Sequence, residues 1–562
     1  MKKKIELLLV LTGAASTLLY LGLQEGYGKG RSLMLASLIW FWLVFVLVTR
    51  RWIFSLYLTL FTALTVFFSS SLKFKNLGVS LSFSDLKFYL RSWFELLGLI
   101  WSYGYVHILF LFLCVVFAFS LQFKRETPLF RLDGIVRRVL WLAVTLGVLL
   151  PGAQGLSNYG SYLYQGKVPI SVLSYSPCIS GFVLSAQFNE IVIPGQPGKA
   201  GAYGSNPGVM ERRIPEARPD IFVWLEESTF DPRLIHGCLD KVCQSSLFKA
   251  TGRNEWVNPM RVHVFGGATW NSEFALLTGL DHRLFGPSGG SAPVTVAPRL
   301  KLALPRYLRT LGYKTIALYP VNKTYLNAER AYRNYGFDEV LDASDFGIST
   351  SWNVTDRQLF ELFQKKVKQI HGRQPVFVMM LTMYQHGPHE PSKEKPLPSD
   401  WKPTGLNGVD SRFRDRISSY LFRLNESEKV VRDAYRYLDD LYGKKPYLMV
   451  HFGDHHPNFG QAWGDRSFYE PRMFAQYGSI HDLSYFKMRS NVPLAKKSTG
   501  RVLDLAFLGT VLLETAGLPL DSFHVASRKL LDQCDGAYFD CPKRQEFESY
   551  LSHVFHELRI LQ

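Results

Sequence analysis

Apolar runs crowd the first 155 residues of this 562-residue chain, and five of them are long enough to cross the hydrocarbon core of a membrane. They lie at roughly Ile5–Leu23, Leu33–Thr49, Trp52–Leu72, Leu96–Phe119 and Val139–Gly155. Within a bilayer every backbone donor and acceptor must find its partner inside the protein. Runs of about 17 to 25 residues meet that demand as helices rather than as barrel strands. The expected fold therefore begins with an α-helical membrane domain of five transmembrane helices, residues 1–155.

Basic residues set the expected orientation. Lys2, Lys3 and Lys4 precede the first run, Arg50 and Arg51 separate the second from the third, and Lys124, Arg125, Arg131, Arg137 and Arg138 separate the fourth from the fifth. Positive charge stays on the cytoplasmic side, so all three groups are expected inside. An odd number of spans then leaves everything after residue 155 outside. The chain is expected in the cytoplasmic (inner) membrane as a multi-pass protein, its larger part facing the periplasm or the cell exterior. A cleaved signal peptide is the competing reading of the first run, but four more runs follow and no small-residue cleavage site stands out.

The formal net charge of +17 would suggest a nucleic-acid partner in a soluble protein. Here it is assigned to topology signals and to attraction toward anionic lipid head groups, and no nucleic-acid motif accompanies it. Cysteine spacing agrees with export. Cys238 and Cys243 are close, as are Cys534 and Cys541, and both pairs lie in the expected outside part, so two local disulfides are expected. A zinc cluster is the rival, but neither spacing is usual for zinc. Cys114 falls within a span and Cys178 has no evident partner.

Between the third and fourth runs, Lys73–Arg91 mixes basic and apolar residues and is too polar to span, which fits an interfacial helix or a loop on the outer membrane surface. Residues 156–190 stay moderately apolar, as interfacial helices would. The Gly- and Pro-rich stretch Pro194–Gly208 reads as an exposed linker, so residues 156–218 form a connecting region. From Pro219 the pattern changes. Ile221–Leu225, Thr315–Tyr319, Val376–Leu381 and Tyr447–Phe452 are short and rich in apolar and β-branched residues, and helix-length segments such as Asp356–Gln369 and Ser427–Tyr442 separate them. This alternation predicts an α/β domain over 219–562, with a mostly parallel sheet flanked by helices.

Polar residues follow those strands directly, where a doubly wound sheet keeps its chemistry. The first strand runs into LEEST, with Glu226 or Glu227 as a carboxylate ligand. FGGATWNSEF places Thr269 after two glycines and before a helical run, so its hydroxyl stands where free amides and the helix dipole favour an alkoxide and an incoming phosphate. LTMYQHGPHEP supplies His386 and His389, and HFGDHHP supplies Asp454, His455 and a further His456. Singly, each is more often an ordinary loop residue or helix cap. Together they make the set that hydrolysis or transfer on one divalent ion requires: hard oxygen and imidazole ligands, a nucleophile, and a group to handle the leaving oxygen.

In that order, and following five apolar spans, these motifs resemble the lipoteichoic acid synthase and phosphoethanolamine transferase branch of the alkaline phosphatase/sulfatase superfamily. The likeness covers nearly the whole chain, and SFSDL at Ser82–Leu86 is similar to the extracellular loop of lipoteichoic acid synthase-like proteins. The resemblance implies a sulfatase-like catalytic domain. It also implies one divalent metal ion, manganese or zinc, held by Glu227, Thr269, Asp454 and His455, with Glu227 preferred to Glu226 because the Ser-Thr that follows fits the family better. Thr269 would attack a lipid phosphorus to give a phospho-threonine and diacylglycerol, and an acceptor hydroxyl would then displace the threonine. His386, His389, Trp270 and Arg330 are the expected substrate contacts. Chemistry agrees with these roles, since a threonine hydroxyl is a poor nucleophile until coordination lowers its pKa, and a protonated His386 is suited to the departing oxygen.

The sequence Thr269-Trp-Asn-Ser-Glu-Phe274 is similar to the Thr-x-x-Ser-Glu-Phe of lipoteichoic acid synthase-like proteins, which favours phosphoglycerol as the group moved. Against it, the His, Trp and Arg of the family's glycerol-phosphate pocket align with Tyr319, Leu326 and Ala328, leaving Arg330 or Lys323 to stand in for the cation. The expected function is transfer of phosphoglycerol from phosphatidylglycerol, a membrane phospholipid donor, to an envelope glycan or lipid acceptor. Phosphoethanolamine transfer is the runner-up, and a non-enzymatic envelope scaffold is the reading from another class. A sulfatase is disfavoured, because no Cys/Ser-x-Pro-x-Arg sequence for formylglycine formation surrounds the nucleophile.

Overall fold

The computed structural model describes the chain outside residues 1, 26–27, 78, 84, 86–119, 121, 125, 130–133, 164–177, 188–190, 192, 204–217, 240, 253, 325–326, 349–352, 394–395, 402–405, 461–464, 471–478 and 494–500. It divides into two compact units, Met1–Glu190 and Ile191–Gln562.

The first unit is helical: Lys2–Gln24, Gly28–Thr49, Trp52–Leu77, Ile135–Leu163 and Ile179–Gln187 among the described residues. Three stretches, Gly28–Thr49, Trp52–Lys75 and Ile135–Gly160, are long and apolar enough to cross a membrane. At 22 residues the shortest reaches about 33 Å, roughly the thickness of the hydrocarbon layer. They contain the second, third and fifth expected spans. The first expected span lies in the helix Lys2–Gln24, and the fourth, Leu96–Phe119, falls outside the described residues.

Carboxylates cap two helix starts of this unit. Glu25 accepts from the Ile179 amide at 2.6 Å and from Ser180, and Glu126 accepts from the Ile53 and Phe54 amides at 3.1 and 2.7 Å. Both satisfy amides that a helix leaves without partners. Asp85 does similar work in the SFSD stretch, accepting from the Ser82 amide and Lys73 Nζ at 2.7 Å each.

An eight-stranded sheet forms the second unit, in the order β4-β3-β5-β1-β6-β7-β2-β8. The strands are β1 Asp220–Glu226, β2 Glu255–Arg261, β3 Lys314–Tyr319, β4 Glu339–Asp342, β5 Val376–Leu381, β6 Tyr447–Gly453, β7 Leu483–Ser490 and β8 Leu503–Asp504. From β4 to β6 all pairings are parallel, whereas β7 runs antiparallel to both β6 and β2. The four strands expected from sequence are the central ones. The β2 segment EWVNPMR escaped that reading because Asn and Pro interrupt its apolar pattern, and only every second residue is buried.

Period-two alternation distributes β1 between two cores. Ile221, Val223 and Leu225 enter one with the helix Thr269–Thr278 and the carboxyl-terminal helices, while Phe222 and Trp224 enter the other with the helices Asp356–Ile370 and Ser411–Tyr442. Covered on both faces, β1 and β6 are buried along their whole length, as central parallel strands are. The helix Asp356–Ile370 starts at a reciprocal Thr355–Gln358 capping box. The helix expected at Ser427–Tyr442 begins sixteen residues earlier, at Ser411, because Phe413, Ile417, Tyr420, Leu421 and Leu424 continue its buried stripe through an arginine-rich stretch.

Two expectations about covalent and connecting features meet the structure differently. Cys238–Cys243 and Cys534–Cys541 are both disulfides, with Cα–Cα distances of 5.6 and 5.1 Å. Cys178 is free and buried, and Cys114 lies outside the described residues. By contrast, the stretch read as an exposed linker is partly core. Ala200 and Tyr203 are each 3% exposed, and the Tyr203 ring sits 5.8 Å from that of Tyr550 with Lys529 over its face. Burial of one large aromatic ring outweighs the flexibility that glycine and proline confer.

Candidate active site

The carboxyl ends of β1, β5 and β6 lie side by side in the sheet, and the loops that leave them carry Glu227, His386, Asp454 and His455. Leaving β1, Glu226 and Glu227 diverge. Glu227 joins Asp454 and His455 in a buried group whose ligand atoms all fall within 4.8 Å of one another. Glu226 is fully buried beside Thr382 and Asp356, and one of its oxygens has no hydrogen-bond partner. Burial, with the charge of Asp356 adding to it, holds the Glu226 carboxyl well above the usual range.

Thr269 is the first residue of the helix Thr269–Thr278. The turn before it passes through Gly266 and Gly267 at φ 68° and 155°, and Ala268 occupies the left-handed region at φ 66°. A non-glycine residue there is strained, and such strain concentrates at functional sites. The turn brings the Thr269 hydroxyl to 3.0 Å from Glu227 Oε2, to which it donates, and to 3.3 Å from His455 Nε2.

His455 and Asp454 are aimed by their neighbours. His455 Nδ1 lies 2.9 Å from the His456 carbonyl, which can only accept, so Nδ1 carries the proton and Nε2 presents a lone pair. That nitrogen stands 3.2 Å from Asp454 Oδ2 and 3.5 Å from Glu227 Oε1. Asp454 Oδ1 accepts from the Ser228 amide at 2.8 Å, and Ser272, three residues beyond Thr269, donates to the Asp454 carbonyl at 2.7 Å. Ser228 also donates to Glu227 Oε1 at 2.8 Å. Sequence reading did not single out Ser228 and Ser272 as supports, although both stand inside the quoted motifs.

Electrostatics separates the two carboxylates. Burial pushes Glu227 up, but the nearby His455 and His386 and the hydroxyls of Ser228 and Thr269 pull harder, leaving it below its ordinary value. Burial pushes Asp454 to about 7, with His455 opposing and Glu227 reinforcing the rise. Asp454 Oδ2 is buried with no hydrogen-bond partner. An orphaned oxygen beside a second carboxylate, an imidazole lone pair and a hydroxyl is a donor set that fits one divalent cation.

The histidines of the remaining motifs divide by exposure. His386 is half-buried, and its Nδ1 lies 2.7 Å from the Gly387 carbonyl, so Nε2 faces outward from that contact. His389 was expected to meet the substrate, but it is 3% exposed and packs edge-on against Tyr420 and Phe459, and its Nε2 donates to the Gln385 carbonyl at 2.9 Å. Its place is inside the loop that carries His386. His456 is fully buried, stacks on Phe230 at 4.2 Å, and engages Tyr469 and the Leu483 carbonyl through its two nitrogens. No lone pair remains for a metal, and burial lowers its pKa to about 3.

Trp270 is half-buried, with its indole N–H on the Gly290 carbonyl at 3.0 Å. Lys323 is paired with Asp345 at 2.7 Å, whereas Arg330 is exposed on the helix Ala328–Tyr335 and forms no ion pair among the described residues. The same helix sends the Tyr332 hydroxyl to Glu273, in the helix Thr269–Thr278. Leu326 lies outside the described residues.

Residues 248–499 match the sulfatase family model, a range that includes Thr269, His386, Asp454 and His455 and begins after Glu227. An uncharacterized protein of Haemophilus influenzae is 30% identical over 358 residues, 62% of each chain. Lipoteichoic acid synthase 1 of Bacillus subtilis is 27% identical over 235 residues, 41% of this chain and 32% of its own. The chain therefore spans less than two thirds of the length of these curated relatives. Among solved structures, the Streptococcus pyogenes phosphoglycerol transferase GacH in complex with sn-glycerol-1-phosphate aligns with 62% of this chain and 91% of its own, at 19% identity and a TM-score of 0.47. Residues 248–499, which follow the helical amino-terminal unit in the sequence, are thus similar to the sulfatase family, and a lipoteichoic acid synthase is among the chain's sequence relatives.

Proposed function

We propose that the chain is a membrane-anchored, divalent-metal-dependent phosphotransferase that moves phosphoglycerol from phosphatidylglycerol to a glycan or lipid acceptor outside the cytoplasmic membrane. The observation that carries this reading is the placement of the Thr269 hydroxyl at a helix start, 3.0 Å from Glu227 and 3.3 Å from His455. Glu227, Asp454, His455 and Thr269 would hold the ion, manganese or zinc. When bound, it supplies charge neutralisation at the phosphoryl oxygens and acidifies the hydroxyl it touches.

The residues then divide the work. Thr269 Oγ1 attacks the lipid phosphorus, and its proton leaves toward the Glu227 carboxylate that already accepts it. The bond from phosphorus to the diacylglycerol oxygen breaks, and that oxygen takes a proton from His386 Nε2. The amides at the helix start favour the phospho-threonine so formed. An acceptor hydroxyl next gives its proton to His386 and attacks phosphorus; the bond from phosphorus to Thr269 Oγ1 breaks, and that oxygen recovers its proton from Glu227. Trp270 and Arg330 flank the substrate in this reading, Arg330 as a cation free for the phosphate and Trp270 as an apolar wall.

Mass spectrometry of the full chain after incubation with labelled phosphatidylglycerol or phosphatidylethanolamine tests the proposal. A glycerophosphate adduct on Thr269 is expected from the first lipid, with none on Thr269→Ala, which should also lose transfer entirely while folding normally. An ethanolamine-phosphate adduct instead would replace the donor and keep the mechanism. Transfer by Thr269→Ala at the wild-type rate would remove the nucleophile.

A further inference from the structure

Arg423 lies near the middle of the long helix Ser411–Tyr442, and its side chain is 1% exposed. Among the described residues it makes no ion pair, and Nη2 has no hydrogen-bond partner. Its Nη1 donates to two main-chain carbonyls, His386 at 3.3 Å and Pro388 at 3.1 Å. One turn further along the same helix, the Ser427 hydroxyl contacts Asp356 and lies 3.1 Å from Gln385 Oε1. Asp356 in turn accepts from the amides of Met383 and Tyr384 at 3.3 and 3.2 Å. One helix face and one buried carboxylate thus reach nearly every residue from Met383 to Pro388.

A guanidinium taken out of water without a carboxylate is expensive, and a methionine or leucine would fill the same space without that cost. What those apolar side chains lack is a nitrogen with two N–H donors, which here hold two carbonyls of one loop together. We propose that Arg423 is a positioning residue, which fixes the loop bearing His386 so that the imidazole stands in place for proton transfer to and from the phosphoester oxygens. The proposal rests on the role given to His386 above. It adds a residue 37 positions away that touches neither metal ligands nor nucleophile.

A displacement of about 1 Å in a proton donor can cost on the order of a hundredfold in rate. Arg423→Met is therefore expected to lower kcat roughly ten- to a hundredfold, with KM for the donor lipid within about twofold of wild type and metal content unchanged. Arg423→Lys should recover part of kcat, because an ammonium can still donate to the carbonyls. Hydrogen–deuterium exchange of the full-length protein should quicken in residues 383–390 of the methionine variant, while β1 and β6 keep their protection.

Two results would overturn the proposal: wild-type kcat with unchanged exchange in that segment, or protection lost equally across β1 and β6 with no recovery in the lysine variant. Failure of the functional reading looks different. Wild-type protein that transfers no head group from either lipid would refute that reading, while faster exchange confined to residues 383–390 would still establish that Arg423 holds the loop.

Discussion

Neighbouring residues in the LEEST and GDHHP motifs meet opposite surroundings. Glu226 and Glu227 follow one another out of a strand, so their side chains leave on opposite sides, one buried beside Thr382 and the other beside Asp454 and His455. His455 and His456 differ in what their ring nitrogens meet. Asp454 has the clearest consequence in solution. Burial pushes its carboxyl up to about 7, against an ordinary value of 3.8. The folded state therefore binds this proton more tightly than the unfolded chain does, and the resulting stabilisation, full at low pH, is lost as pH rises through the window from about 4 to 7. Glu227 shifts the other way and is already ionised there. A divalent cation replaces the missing proton, so added manganese is expected to raise the melting temperature more at pH 8 than at pH 5, with protons released on binding near pH 6. Equal shifts at both pH values in calorimetry would contradict this assignment of Asp454.

Elements, rather than single side chains, set the distance between ligands. The end of β6 is pressed against the turn after β1: a Cβ on Gly453 would come within 1.7 Å of the Thr229 carbonyl and 2.6 Å of Ser484 Oγ. Ser484, on the antiparallel β7, donates to the Gly453 carbonyl at 2.7 Å and ties the two ends together. The glycine is required by close approach rather than by an unusual dihedral. Gly453→Ala must push β6 away from β1, which separates Asp454 from Glu227. The expected cost is about 1–3 kcal/mol of stability from overpacking, together with at least tenfold weaker metal binding. Isothermal titration with manganese measures the second effect, and an unchanged affinity would show that the strand ends can move without disturbing the site.

On the scale of the entire chain, the proposed orientation places the sheet domain in an oxidising compartment, where the two disulfides would persist. Arg436, with a side chain 74% exposed, offers a test: Arg436→Cys is expected to react with a membrane-impermeant maleimide in intact cells with a permeabilised outer membrane, above the background of the unsubstituted chain. Labelling only after lysis would reverse the orientation. Much of this architecture could be read locally. Apolar runs, strand-to-loop transitions, the short motifs around Glu227, Thr269, His386 and Asp454, and short cysteine loops each depend on residues a few positions apart, and periodicity and spacing record such relations directly. Other features depend on partners far away in the sequence. Tyr203 enters the core only because Tyr550 and Lys529 surround it, and β2 is a strand only because β7 pairs with it. His389 is buried because Tyr420 and Phe459 enclose it, and Arg423 is buried where the carbonyls of His386 and Pro388 receive it. Linear order determined which chemical groups the chain possesses and roughly where each follows a strand. Long-range packing decided which of two adjacent carboxylates or imidazoles faces the site, because that choice depends on the neighbours each side chain meets once the sheet has closed.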